Sequence, residues 1–152
     1  MLKRCIDKIR NNKLTSIVLA ISIIGIIIVY FKMDINKIVF DKEASYNLLT
    51  VNTVFTGFMY TMLGNMVEFS SRPNIVSKDK AGYIDKYFSP IYCGLVFFVF
   101  SIFIDVFLLF FGLNWKVSLL IFLSRSCSVV GIIYFVISTI MLRKVINQLR
   151  KR

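Results

Sequence analysis

The chain has 152 residues, 57% of them hydrophobic, yet it carries 19 Lys and Arg against 8 Asp and Glu. Its mean hydropathy is +0.75. A chain this apolar cannot leave its surface in water, and a net charge of +11 opposes a compact soluble fold, so a soluble enzyme, a disordered basic tail and a disulfide-rich secreted domain are all poor fits. The two properties coexist because they are segregated: apolar blocks alternate with short basic ones, the pattern of a polytopic membrane protein.

Four membrane helices are expected, at about 14–31, 46–69, 90–111 and 117–142. Each approaches the roughly 20 apolar residues that cross about 30 Å of hydrocarbon, the first being the shortest. Ile, Val and Phe favour strands in water, but an isolated segment in lipid must satisfy its own backbone and becomes helical. The first span ends in Tyr30, Phe31 and Lys32 without a small-residue cleavage site, and reads as an uncleaved span rather than a signal peptide. The whole chain reads as one all-α transmembrane domain.

The cations orient it. Fourteen of the 19 lie in the segments 1–13, 70–89 and 143–152; four lie in the two other loops and one, Arg125, inside a span. Positive loops remain cytoplasmic, so both termini are placed in the cytoplasm. The expectation is a multi-pass protein of a bacterial cytoplasmic (inner) membrane.

Much chemistry is excluded. There is no His, hence no His-based triad or metal site. Cys5, Cys93 and Cys127 are scattered and form no metal or disulfide pattern. No glycine-rich phosphate loop or close carboxylate pair appears. No catalytic residue, metal site or cofactor is expected, and the chain reads as a non-enzyme.

Polar residues within the spans carry the functional reading. On a helical wheel, Thr53, Gly57, Tyr60, Thr61, Gly64, Asn65 and Glu68 share one arc of the second span, with Asn52 and Thr56 on its flank. The other face holds Leu48, Val51, Val54, Phe55, Phe58, Met59, Met62, Met66 and Phe69. Such a stripe must face neighbouring helices or water. Four helices of this size cannot enclose a wide pore, so an aqueous path requires a symmetric homo-oligomer, a tetramer among the options, with the second span nearest the axis. The candidate pore-lining residues are Thr53, Thr56, Tyr60, Thr61, Asn65 and Glu68.

Asp105 in the third span and Arg125 in the fourth are of opposite sign and at matching depth about the short connection 112–116. A lone charge there costs roughly 2.5 kcal/mol or more, so a direct or water-bridged ion pair is expected. It would either clasp the hairpin or form a charged gate. Ser101, Ser124, Ser126 and Ser128 could satisfy the remaining donors and acceptors.

The cytoplasmic cations set topology and touch anionic lipid. In an oligomer they also converge, and Lys3, Arg4, Arg143, Lys144 and Arg150 are candidate contacts for a nucleotide or short oligonucleotide, with interleaved aromatics available for stacking. The segment 1–13 reads as a short amphipathic helix, and the tail as a continuation of the fourth helix. The expected partners are the lipid bilayer, further copies of the chain, such an anionic ligand and a cytoplasmic partner protein.

In its short length, four spans and basic cytoplasmic face, the chain resembles the small four-helix membrane effectors of bacterial anti-phage defence, such as the membrane components of the Hailong and Kiwa systems. The resemblance covers the whole chain at the level of architecture. It implies an oligomeric, channel-like effector that perturbs the inner membrane on a signal. Small multidrug transporters also have four spans but use an acidic residue in the first, which has none here. The leading expectation is an oligomeric pore controlled from the cytoplasmic side; the alternatives are a non-conducting anchor or partner subunit, and a small ion-coupled transporter using Glu68 or Asp105.

Overall fold

The computed structural model describes residues 13–33, 38, 40–71, 85–111 and 117–150. Among them are four helices: α1 (Lys13–Lys32), α2 (Lys42–Ser70), α3 (Asp85–Phe111) and α4 (Val117–Arg150). The protein is helical as expected. Three of the helices, α1, α3 and α4, are long and apolar enough to cross a membrane, which marks a membrane-associated protein. α2 has the length, 29 residues, but its polar stripe lowers its hydropathy and it does not join that set.

Two helices start earlier than the apolar blocks suggest. Asp41 caps α2: its backbone is extended and its side chain accepts from the Glu43 N–H at 3.0 Å. Glu43 in the first turn complements the positive end of the helix dipole. The helix therefore begins at Lys42 rather than near 46. α3 begins at Asp85, with Pro90 inside it. Pro90 lacks the N–H that would bond to Lys86, but so near the start this removes a single backbone bond. α4 continues as one helix of 34 residues, about 50 Å long, and carries the exposed Arg143 and Lys144 on its final turns.

α3 and α4 form the most extensive pair, α2 lies along α3 and touches α4, and α1 is peripheral. Two glycines set the closeness of these crossings. A Cβ on Gly94 would stand 2.6 Å from Met59 Cε, and one on Gly131 would stand 2.8 Å from the Phe98 ring. Met59 of α2 and Phe98 of α3 thus fill the space that each glycine leaves, the small-residue device of membrane helix packing. Phe98 also stacks on Phe55 with centroids 5.7 Å apart, and Phe55 meets Phe135 edge-on at 4.8 Å. α2 buries Ser45, Asn52, Met59 and Met66, a strict seven-residue repeat that keeps one seam against the bundle.

α1 runs antiparallel to α4. Tyr134 donates to the Thr15 carbonyl at 2.9 Å, and Tyr30 packs edge-on against Phe122 at 5.9 Å. Otherwise α1 is exposed almost all round, with Thr15 its buried residue. An apolar helix with so little protein contact is solvated by lipid or by a neighbouring chain.

Candidate functional site: a buried polar layer and an open polar face

Two apolar clusters occupy opposite ends of the three-helix bundle. Met59, Met66, Ile91, Leu95 and Phe98 form one; Ile104, Leu108 and Ile121 form the other. Between them lies a layer of fully buried polar side chains: Asn52 from α2, Ser101 and Asp105 from α3, Ser124 and Ser128 from α4. Asn52 is ten residues into α2, Ser128 eleven into α4 and Ser101 ten from the end of α3. At 1.5 Å per residue these three side chains are about 15 Å from the helix ends, and Asp105 and Ser124, six and seven residues from theirs, about 10 Å.

The hydrogen bonds run in one direction. Ser128 Oγ donates to Asn52 Oδ1 at 2.6 Å. Asn52 Nδ2 donates to Ser101 Oγ at 2.9 Å. Ser101 Oγ lies 2.9 Å from both the Ser124 carbonyl and Ser124 Oγ. Ser124 Oγ donates to Asp105 Oδ1 at 2.6 Å. All three helices are thereby joined, and each link is stronger for being shielded from water. The chain ends on Asp105, 2% exposed, whose Oδ2 is buried and has no hydrogen-bond partner among the described residues.

Of the direct or water-bridged ion pair expected between Asp105 and Arg125, the direct form is not made. Oδ1 is bonded to Ser124 and Oδ2 to nothing described, while Arg125 is exposed. The Ser124–Asp105 hydrogen bond puts Arg125 and Asp105 at a similar level, but direction about the axis separates the two. Neighbouring residues project about 100° apart on a helix, so Ser124 can face α3 only if Arg125 turns away from it. Arg125 stays within electrostatic reach of Asp105 without touching it. Ser101, Ser124 and Ser128 do serve the polar layer; Ser126 is only half-buried.

The polar stripe of α2 divides in two. Asn52, set on its flank by the wheel, is 0% exposed and belongs to the buried layer; sequence reasoning left it out of the candidate residues. Its signal was the seven-residue spacing to Met59 and Met66. Thr56 is half-buried and donates to the Asn52 carbonyl at 2.7 Å, so it sits on the bundle side and does not line an open face. Thr53, Gly57, Tyr60, Thr61, Gly64, Asn65 and Glu68 are all exposed, opposite the packed seam. Among the described residues, nothing lies within 4 Å of a Cβ built on Gly57 or Gly64. Thr53 and Thr61 give their hydrogens to the carbonyls of Leu49 and Gly57, at 2.8 and 3.0 Å, so each presents only oxygen lone pairs outward.

Of the expected ligand contacts, Arg143 and Lys144 are exposed at the end of α4. Lys3 and Arg4, the amphipathic segment before Lys13 and the connection 112–116 lie outside the described residues, as does the side chain of Arg150. Cys127 is buried and Cys93 half-buried, both as free thiols. Among the described residues no cluster of His, Cys, Asp and Glu could hold a metal ion.

No protein-family model matches the chain, and no curated protein or solved structure matches it either.

Proposed function

We propose that the chain is a subunit of a homo-oligomeric ion pore in a bacterial cytoplasmic membrane, with α2 as a fourth span lining the path. One observation carries this reading: the polar residues of α2 lie on the part of the helix left open by the bundle, where Val51, Val54 and Phe58, expected on the opposite face, and Val67 are exposed beside them. Thr53, Tyr60, Thr61, Asn65 and Glu68 are exposed along more than four turns of helix. Each such group turned toward lipid loses hydrogen bonding to water, so the arrangement favours a hydrated lumen shared between copies. The antiparallel packing of α2 along α3, through the Asn52–Ser101 hydrogen bond and the fit of Met59 against Gly94, supports a transmembrane course for α2. Outward lone pairs on Thr53 and Thr61, with Glu68 on the same face, favour cations as the conducted species.

In this reading both termini are cytoplasmic. The exposed Arg143 and Lys144, with the cations outside the described residues, meet anionic lipid and receive a nucleotide-like or oligonucleotide signal or a protein partner. The role is that of a membrane-perturbing effector, in keeping with the architectural resemblance to anti-phage systems.

The test is cation flux through liposomes holding the purified protein, with its mass measured by native mass spectrometry. Flux from an oligomer, lost on replacing Asn65 and Glu68 by Leu while the oligomer persists, supports the pore. A monomer without flux, with or without added oligonucleotide, overturns it in favour of a non-conducting anchor.

A further inference from the structure

The end of the polar layer is incomplete. Each hydroxyl has one hydrogen to give. That of Ser128 goes to Asn52, that of Ser101 to Ser124, and that of Ser124 to Asp105 Oδ1. Every hydroxyl donor in the layer is therefore committed, and none remains for Asp105 Oδ2. This oxygen is buried and has no partner among the described residues. Asp105 follows Ile104 and is one turn from Leu108, both buried in the apolar cluster with Ile121. A carboxyl oxygen in such a place needs a compensating group, because an unpaired buried charge costs several kcal/mol.

The helices around it do not supply one. α2 presents Asn52, which is neutral, gives one Nδ2 hydrogen to Ser101 and accepts from Ser128, and makes no hydrogen bond to Oδ2. α3 presents Ser101, whose hydrogen is spent. α4 presents Ser124 and, exposed at the bundle surface, Arg125, whose charge reaches Asp105. On α1 the titratable neighbour of α4 is Tyr30, packed on Phe122.

We propose that Asp105 Oδ2 anchors a binding site for a monovalent cation, a proton or sodium, inside the bundle, about 9 Å from the end of α3. The charge fits a single positive ion: one carboxylate at the end of a hydrogen-bonded series whose other members, Ser124, Ser101, Asn52 and Ser128, are neutral. Divalent ions are bound through more acidic ligands, and no group of three acidic or thiol side chains stands here among the described residues. The directed chain from Ser128 to Asp105 couples the site to all three helices, so occupancy alters the contact that ties α2 to α3 and α4. The site does not depend on whether the open face of α2 conducts.

Infrared difference spectroscopy on the full-length protein in liposomes tests this. Buffer is exchanged between choline and sodium, and separately between acidic and neutral pH. A carboxyl band that answers to either exchange is expected, lost in Asp105→Asn and displaced in Asp105→Glu. Ser124→Ala removes the donor to Oδ1 and should displace the same band; it stands in for Asp105→Asn if that variant does not fold. A response to sodium assigns the ion as sodium, and a response to pH alone assigns a proton. A band of Asp105 that answers to neither exchange overturns the site, because a trapped water or fixed internal partner then completes Oδ2. Liposome flux plays no part in this readout, so it can fail independently of the pore.

Discussion

Ser128 and Asn52 meet across 76 positions of sequence in a 2.6 Å hydrogen bond, and that bond is the hinge between α2 and the α3–α4 pair. Asn52 uses its other end on Ser101 at 2.9 Å, so one amide holds three helices together. Asn52→Ala leaves the Ser128 hydroxyl without an acceptor in a dry interior, a loss of about 1–3 kcal/mol. Ser128→Ala should cost less, because the amide keeps Ser101. The double variant is expected to be non-additive, with a coupling of about 0.6 kcal/mol or more between the sites. Reversible unfolding of the four proteins in detergent measures it, and strict additivity would mean that the bond contributes nothing.

Gly131 and Gly94 separate two kinds of close packing. Both positions would clash if given a Cβ, but with different neighbours. At Gly94 the two nearest atoms are Cε and Sδ of Met59, an adaptable side chain, and Tyr134 Cβ follows at 3.0 Å. At Gly131 the obstacle is the Phe98 ring, held by its stack on Phe55. Gly131→Ala should therefore cost about 1–3 kcal/mol through overpacking, and Gly94→Ala less. Gly57→Ala and Gly64→Ala should leave the protomer's stability nearly unchanged, since nothing described stands near either position. Thermal unfolding ranks the four, and equal losses at Gly94 and Gly131 would contradict the account.

The peripheral position of α1 predicts independent detachment. Its polar tie is the hydrogen bond from Tyr134 to the Thr15 carbonyl at 2.9 Å. Tyr134→Phe keeps the ring and its stacking on Phe97, with centroids 6.0 Å apart, and removes only the hydroxyl, worth about 0.5–1.5 kcal/mol. Hydrogen exchange in Lys13–Lys32 should rise in this variant while α3 and α4 keep their protection. Faster exchange throughout the bundle would instead place Tyr134 in the common core.

The amino-acid pattern carried more of the axial organisation than of the azimuthal. The order of the four described helices, the common level of Asp105 and Arg125 and the polar arc of α2 follow from counting along the chain. Which face meets a neighbour depends on rotation about each axis, and a shift of one residue turns a side chain by about 100°. Arg125 and Ser124 trade places under such a shift, and so do Asn52 and Thr53. The seam of α2 was readable from Asn52, Met59 and Met66 at intervals of seven, but only by treating Asn as a packing residue. In water a buried Asn is unfavourable; among membrane helices its amide is a means of association. The early start of α2 escaped a hydropathy reading because its cap, Asp41, acts through a hydrogen bond and not through apolarity.

Arg125 and Ser124 give the sharpest contrast in the bundle, because they adjoin in sequence and differ in direction. If Asp105 were held by an ion pair, Arg125→Gln would leave a buried carboxylate alone and cost about 3–5 kcal/mol. In the structure Oδ1 is bonded to Ser124 and Arg125 is exposed, so Arg125→Gln should change the stability of the protomer by less than about 1 kcal/mol. Ser124→Ala removes the donor to Asp105 and the hydroxyl beside Ser101, and should cost about 1–3 kcal/mol. Adding Asp105→Leu to Ser124→Ala should recover part of the loss, since no carboxyl then remains to be satisfied. Unfolding midpoints of the three variants in detergent decide the matter. A larger loss from Arg125→Gln than from Ser124→Ala would restore the ion pair as the bond that holds the α3–α4 hairpin.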